Sequence, residues 1–268
     1  MKNGQKILEK RKTELGMNGG SSRHIADIEP MPTTTPPAVR EFYEPPAKAR
    51  VLAPVSLKDI DTKHHPKVAF AVKMARAWAQ RKRDGYGDAS LILAGDNGTG
   101  KTHIARAIWW SIVQAVTDVS GDLLPDYQAQ PVGRFYLSND LIAQMGTTRD
   151  ETTGTIVPAS PSRVLGHPPM VVIDDIGAEQ AIPFIGKDDQ LDEKQARLFK
   201  VIDYCYGRQI SLIITTNLSL HEFQEFVGRR SWDRLTEMCP RLPNGDSFII
   251  DLFGVPSYRL KSGGRAGK

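Results

Sequence analysis

A glycine-rich segment at residues 95–102 restricts the possible folds more than any other part of the sequence. It reads Gly-Asp-Asn-Gly-Thr-Gly-Lys-Thr and fits the pattern G-x-x-x-x-G-K-[ST] at every fixed position. Such glycines let several backbone N–H groups point at one phosphate, and the positive end of the following helix adds to the attraction. We therefore predict a phosphate-binding loop whose contacts come from Gly95, Asp96, Asn97, Gly98, Thr99, Gly100, Lys101, Thr102 and His103.

Around this loop, apolar runs typical of buried strands alternate with helical patterns. The spacing predicts strands over residues 90–94, 135–137, 170–173, 211–215 and 248–252, and helices over 65–81, 101–116, 140–145, 193–208 and 219–227. Ser138 or Asn139 is expected to cap the third helix, and Ser219 with Glu222 has the spacing of a capping box. Residues 146–169 are predicted to form a long loop. Alternation of this kind indicates an α/β fold, a central parallel sheet flanked by helices.

Composition separates the two ends of the chain from this body. Seven prolines between residues 30 and 54 block helix and remove donors, so residues 1–54 are predicted to be a flexible extension with a Pro-rich linker. Residues 55–262 form the predicted domain and 263–268 a flexible tail. The sequence has no apolar run near 20 residues, and its two cysteines match no metal-ligand spacing, so we expect a cytoplasmic protein with reduced thiols and no membrane contact.

Acidic and amide side chains that follow two other predicted strands would complete a site for ATP and Mg²⁺. Lys101 can reach the β- and γ-phosphates, and Thr102 with Asp174 can hold Mg²⁺. Asp175 would then polarise the attacking water, and Asn217 would orient that water or sense the γ-phosphate. Paired aspartates or an asparagine after a strand also occur in plain turns, so these three residues gain their meaning from following a phosphate loop.

These signals in this order resemble the AAA+ ATPases of the P-loop NTPase fold, with Walker A at residues 95–102, Walker B at 173–175 and sensor 1 at Asn217. Over about residues 55–260 the chain is most similar to the DnaC-type helicase loaders and their relative IstB. The passages that carry the similarity are Ile-Asp-Asp-Ile-Gly at 173–177, Trp-Asp-Arg-Leu at 232–235 and Ser-Tyr-Arg at 257–259. The resemblance implies that Arg234 is an arginine finger for a neighbouring subunit and that Arg259 is a C-terminal sensor arginine.

The same resemblance implies the activity and the partners. It implies slow, assembly-dependent ATP hydrolysis, self-assembly, binding of single-stranded DNA and loading of a replicative DNA helicase. An IstB-like ATPase that assists a transposase on duplex DNA is the alternative, and a nucleotide-dependent interaction protein with little turnover is a third class. Many AAA+ proteins have Glu where this chain has Asp175, and only 51 residues follow Asn217, which predicts a shortened lid.

Basic residues and the N-terminal segment are weaker indications of partners. The two basic clusters are Arg76, Arg81, Lys82 and Arg83, and Arg229, Arg230 and Arg234. Each could contact DNA phosphates, but solvated helix faces explain them equally well. Residues 6–15 could form a short helix that docks a helicase, or could simply be a disordered start of the chain.

Overall fold

The computed structural model describes residues 55–84, 89–115, 133–149, 154–177 and 188–259. The predicted N-terminal extension and the predicted tail lie outside these residues. The described helices are α1 (Pro66–Arg83), α2 (Lys101–Ala115), α3 (Ser138–Gln144), α4 (Pro161–Leu165), α5 (Asp188–Gly207), α6 (Leu220–Val227) and α7 (Arg229–Met238). The strands are β1 (Leu91–Ala94), β2 (Arg134–Leu137), β3 (Thr147–Arg149), β4 (Ile156–Pro158), β5 (Met170–Ile176), β6 (Ser211–Thr216) and β7 (Ile249–Asp251).

Five of these strands form a parallel sheet in the order β2-β5-β6-β1-β7. The three central strands are buried along almost their whole length, because helices cover both faces of the sheet. This explains why they read as continuous apolar runs without alternation. The predicted fold class, a parallel α/β sheet flanked by helices, is confirmed. Since β1, β5 and β6 are adjacent and parallel, the residues that follow each of them meet at one edge of the sheet.

Local signals in the sequence fix several element ends. The His65 side chain accepts a hydrogen bond from the Lys67 N–H, and Pro66 stands in the first turn, so α1 begins where predicted. Both halves of the predicted capping box, between Ser219 and Glu222, are present at the start of α6. Trp78 is fully buried in α1, and its Nε1 donates to the Ala89 carbonyl (2.9 Å), which ties the helix to the residues before β1.

Some predictions about local structure are wrong. Neither Ser138 nor Asn139 caps α3, because Ser138 already lies within the helix and the cap position is Leu137, which has no side-chain hydrogen bond. Strand β5 continues past Ile173 to Ile176. The predicted long loop contains the antiparallel pair β3–β4 and the short helix α4, whose N-cap is Ser160.

The segment after α6 holds a helix that the periodicity did not indicate. Gly228, with φ of 76°, ends α6 and leads directly into α7, which carries Arg234. The last described residues after β7, 258 and 259, are helical, and the predicted shortened lid stays a prediction. No helix among the described residues is long and apolar enough to cross a bilayer.

Candidate functional site

The loop between β1 and α2 surrounds the amino group of Lys101. The lysine is 7% exposed, and its Nζ donates to the carbonyls of Gly95 (2.6 Å) and Asp96 (2.9 Å). Gly98 and Gly100 have φ of 82° and 95°, a region that side chains with a Cβ rarely adopt, so the loop conformation requires glycine there. Burial lowers the pKa of Lys101, while the nearby carboxylates, Asp175 foremost, oppose that shift.

Asp174 is buried (3% exposed) on β5 and accepts two hydroxyl hydrogen bonds on one oxygen. Thr102 Oγ1 from the start of α2 donates to Asp174 Oδ1 at 2.9 Å, and Thr215 Oγ1 from β6 donates to the same atom at 2.6 Å. Burial raises the pKa of the Asp174 carboxyl, and the two hydroxyl hydrogen bonds act in the opposite direction. The structure thus brings together the two residues that the sequence assigned to Mg²⁺. Thr215, which the sequence analysis missed, joins them.

Asp175 lies at an irregularity in the strand. Its φ is 64°, unusual for a residue with a side chain, and the pairing of β5 with β6 shifts between Ile173 and Ile176. The N–H of Asp175 donates to Thr215 Oγ1 at 2.8 Å, so the same hydroxyl that binds Asp174 also fixes this turn of the backbone. A left-handed residue held by a partly buried hydrogen bond is the kind of local strain that proteins retain at functional positions.

Asn217 follows β6, where Thr216 pairs with Ala94 at the beginning of the phosphate loop. Its Oδ1 is buried and accepts no hydrogen bond from the described residues. This oxygen lies 2.5 Å from the position that a Cβ would occupy on Gly177, so only glycine fits at residue 177. A buried amide oxygen without a donor is costly, and a bound molecule with an O–H group could satisfy it.

Residues 253–259, here called the strap, lie against the phosphate loop. The Tyr258 N–H donates to the Gly98 carbonyl (3.0 Å), and the Gly254 N–H donates to Asp96 Oδ2 (3.2 Å). A Cβ on Gly98 would lie only 2.0 Å from Ser257 Oγ, and one on Gly100 would lie 3.5 Å from the Tyr258 ring. The strap therefore packs on the glycines themselves.

The strap places Arg259 beside the phosphate loop of its own chain. The Arg259 Cγ would lie 3.6 Å from a Cβ on Gly98, and its charge acts on Lys101 as one of the influences that lower the lysine pKa. The sequence left open whether this arginine acts on its own or an adjacent nucleotide. The structure places it next to the loop of its own chain.

A contact with the segment before α1 anchors the strap. The Tyr258 ring stacks on His64 with ring centroids 3.9 Å apart, and the Tyr258 hydroxyl donates to the Asp61 carbonyl at 2.9 Å. Burial, followed by the charge of Asp61, raises the pKa of Tyr258. Neither His64 nor Asp61 belongs to a recognisable motif, so no signal in the sequence pointed to this pair.

Two other predicted residues, His103 and Arg234, have different surroundings. His103, in the first turn of α2, has its pKa lowered by burial and by the nearby Arg106. Arg234 lies on α7 and contacts α5: it forms an ion pair with Asp203 and approaches the rings of Tyr206 (5.3 Å) and Phe199 (5.8 Å). The structure does not bring Arg234 together with the groups around Lys101.

The first basic cluster has structural contacts at the other edge of the sheet. Lys82 Nζ donates to the Pro169 carbonyl (2.7 Å) and to Ser211 Oγ (2.8 Å), beside the first residues of β5 and β6. Arg76 donates to the Leu57 carbonyl. The phosphate loop follows the last residue of β1, whereas Lys82 lies at the first residues of β5 and β6. The basic cluster at the end of α1 therefore lies away from the candidate nucleotide site. Two members of the second cluster are exposed: the Arg229 side chain is 92% exposed and that of Arg230 69%.

Both cysteines are buried free thiols, and burial raises the pKa of Cys205 to about 12 and also raises that of Cys239. No group of three or more His, Cys, Asp or Glu side chains in the described ranges could hold a metal ion by itself.

Comparison with known proteins gives a family and a set of similar folds. The family model described as "IstB-like ATP binding protein" matches residues 86–261. No curated protein sequence matches the chain. The crystal structure of the DnaC helicase loader is similar with a TM-score of 0.50 and 20% identity, over 73% of this chain and 96% of that one. The structure of DnaI has a TM-score of 0.48 and 15% identity, over 76% and 89%. That of AMPPCP-bound DnaA from Aquifex aeolicus has 0.47 and 13%, over 77% and 52%.

Proposed function

Because the chain belongs to the family of IstB-like ATP binding proteins, we propose that it hydrolyses ATP and loads a replicative DNA helicase onto single-stranded DNA. The observation that carries the ATPase part is the junction of three elements at Asp174. Hydroxyls from α2 and β6 converge on one carboxylate oxygen, beside a buried lysine in a glycine-rich loop. A turn without function would need neither a buried carboxylate nor a buried lysine.

In this proposal Lys101 exchanges the two carbonyls that it now binds for the β- and γ-phosphate oxygens of ATP. The change is favourable because a phosphate is a charged acceptor and a carbonyl is a neutral one. The low exposure of the lysine keeps water away from that contact and strengthens the attraction. The N–H groups of the glycine-rich loop supply further donors without side chains in the way.

The oxygens of Thr102 and Asp174 fit Mg²⁺, which prefers hard oxygen ligands and keeps water and phosphate oxygens in its remaining positions. When bound, Mg²⁺ would neutralise charge on the β- and γ-phosphates. Thr215 holds the Asp174 carboxylate in one orientation and so prepares this pair of ligands.

Asp175 and the unpaired oxygen of Asn217 are the proposed partners of the attacking water. A water molecule can donate one hydrogen to each, which orients its lone pair toward the phosphorus. Asn217 Oδ1 is a suitable acceptor, because it has no hydrogen-bond partner among the described residues. Asp175 has a shorter side chain than the Glu found in many AAA+ proteins, and we propose that this contributes to slow turnover.

Arg259 would stabilise the phosphates bound by its own chain, and Arg234 those bound by a neighbouring subunit. The support for Arg259 is its position at Gly98 and its electrostatic effect on Lys101. The support for Arg234 is its separation from the cluster around Lys101 and its place on α7, beside the exposed Arg229 and Arg230. A planar, permanently charged guanidinium suits charge on a transferring phosphoryl group.

The role in helicase loading is carried over from the DnaC helicase loader, which has a similar fold. The alternative is an IstB-like ATPase that acts with a transposase, and the family description favours it as much as the fold favours the loader. The exposed arginines at the start of α7 are the proposed phosphate contacts for DNA in either case.

A loading assay separates the two functions. The protein is incubated with ATP, circular single-stranded DNA and the hexameric replicative helicase of the same cell, and helicase retained on the circles is measured after gel filtration in high salt. The loader proposal predicts retention with the wild type and none with Lys101→Ala. Retention equal to that of helicase alone, together with ATP-dependent binding to duplex DNA, contradicts the loader and supports the transposition ATPase.

A further inference from the structure

The side chains between α5 and α7 form two matched rows. Phe199, Asp203 and Tyr206 stand four and three residues apart on α5, a spacing that places them on one face of the helix. Opposite them on α7, with the same spacing, stand Arg230, Arg234 and Glu237. The two rows contact each other. Both arginines approach the Phe199 ring and the Asp203 carboxylate. The Tyr206 hydroxyl donates a hydrogen bond to Glu237 (2.7 Å).

Within these rows Arg234 is the enclosed cation. Its side chain is 19% exposed, whereas that of Arg230 is 69% exposed and only approaches Asp203 at 3.9 Å. The Arg234 guanidinium is paired with the Asp203 carboxylate and lies near two aromatic rings of its own chain. Ring faces attract a cation, so three groups hold this arginine on α5.

We propose that Asp203 is a positioning residue that retains Arg234 on its own subunit. The pairing lasts until the γ-phosphate of a nucleotide bound by a neighbouring subunit replaces the Asp203 carboxylate as the partner of Arg234. This inference rests on the proposed function of Arg234 as a finger. A guanidinium whose charge is neutralised by the Asp203 carboxylate attracts a γ-phosphate less strongly than a free one does. The carboxylate and the neighbour's phosphate are therefore competitors for one cation.

This competition predicts a threshold for assembly. A single subunit keeps Arg234 paired with Asp203, and the pair must break before the finger can act in trans. The free energy needed to break it is subtracted from the free energy of the subunit contact. For a partly exposed pair the loss corresponds to a change of about two- to fivefold in the concentration at which subunits assemble. Asp203 thus limits turnover at low protein concentration.

The test uses the full chain with Asp203→Asn, which removes the charge and keeps the shape of the side chain. ATP turnover is measured as a function of protein concentration, and assembly in a non-hydrolysable ATP analogue is followed by light scattering. We expect the midpoint concentration of both curves to fall about two- to fivefold. An unchanged or higher midpoint overturns the inference. If the substitution only loosened the packing of α5 on α7, the midpoint would rise.

Two further variants assign the effect to Arg234. Asp233→Asn makes the same substitution on α7, where Asp233 approaches the exposed Arg229 (4.0 Å), and should leave the midpoint unchanged. The double variant Asp203→Asn with Arg234→Ala should show no gain in turnover over Arg234→Ala. A gain in the double variant would mean that Asp203 acts through another group and would overturn the inference.

The proposed function and this inference can fail separately. If Arg234→Ala turns over like the wild type, the finger role is wrong. If Arg234→Ala is inactive and Asp203→Asn has the wild-type midpoint, the finger role stands and only the retention by Asp203 is wrong.

Discussion

Replacing Thr215 by valine should weaken both the fold and the candidate site, because one hydroxyl serves two partners. Thr215 is fully buried on β6, donates to Asp174 Oδ1 and accepts from the Asp175 N–H. Valine has nearly the same shape, so the main effect is the loss of these two hydrogen bonds. The substitution leaves a buried carboxylate with one hydroxyl donor, Thr102, among the described contacts.

The expected fall in the free energy of unfolding follows from the two groups that bind the Thr215 hydroxyl. A hydrogen bond to a charged group contributes about 1.5–3 kcal/mol, and a buried N–H left without an acceptor costs about 1–3 kcal/mol. Because the Asp175 N–H is only partly buried and can reach water, we expect the free energy of unfolding to fall by about 2–4 kcal/mol in total. For a domain of this size that corresponds to a Tm lower by about 4–16 °C.

The loss of stability in Thr215→Val should depend on pH. The Thr215 hydroxyl favours the ionised form of Asp174, so its loss raises further a pKa that burial has already raised. The stability deficit of Thr215→Val is therefore largest where Asp174 is ionised in the native state. It becomes smaller as the pH falls through the raised pKa, since a neutral carboxyl loses a weaker hydrogen bond. Urea unfolding of wild type and variant between pH 4 and pH 8, without nucleotide or metal, measures both quantities.

Thr215→Ser is the matched control, because it removes only a methyl group and retains the hydroxyl. It should cost about 1 kcal/mol, with a deficit that does not depend on pH. In ATP turnover, the valine variant should need about tenfold more Mg²⁺ for half-maximal rate, a loss of about 1.4 kcal/mol, and the serine variant should resemble the wild type. Equal deficits for valine and serine at every pH would refute the role of the hydroxyl.

Three further predictions concern the strap and the core. Gly98→Ala should abolish binding of a fluorescent ATP analogue, because the new Cβ meets Ser257 Oγ at 2.0 Å and φ is 82°; Gly207→Ala, where a Cβ meets nothing within 4 Å, should leave that binding unchanged. Tyr258→Ala should weaken that binding by about two- to tenfold through loss of the ring contact, and Tyr258→Phe should keep most of it. Trp78→Phe should lower the free energy of unfolding by about 2–3 kcal/mol in urea titration without changing turnover per folded molecule.

The elements that the sequence predicted well are those in which the signal is local. The glycine pattern before Lys101, the capping box at Ser219 and the apolar runs of the central strands all act within a few residues. The predicted cap of α3 was wrong because a serine can either cap a helix or lie within its first turn, and the backbone places Ser138 inside the helix. The pair β3–β4 was missed because each strand is three residues long, too short for periodicity to show.

The candidate site could be predicted in part for the same reason. Lys101, Thr102 and Asp174 follow from motif positions, and the parallel order of β1, β6 and β5 brings them together. The hydrogen bond from Thr215 to Asp174 spans 41 residues, and no motif marks it. The stacking of His64 on Tyr258 joins the two ends of the described domain, which only the folded chain can show.

The ion pair of Arg234 with Asp203, between α5 and α7, is the contact least predictable from the sequence. Both residues are common surface types, and Asp203 has no motif position. Their pairing depends on the register of α5 against α7, and the periodicity had not indicated α7 at all. Charged residues on exposed helices pair in many ways at similar cost, so spacing alone could not select this partner.

The central feature of the proposed mechanism is an active site completed by a neighbouring subunit. ATP turnover of Arg234→Ala and of Lys101→Ala, each alone and then mixed in equal amounts, with and without single-stranded DNA, measures this. We predict that each variant alone is inactive, that Arg234→Ala still binds ATP, and that the mixture recovers turnover, since the intact phosphate loop of one variant then meets the arginine of the other. Wild-type turnover by Arg234→Ala alone, or no recovery in the mixture, would contradict an active site shared between subunits.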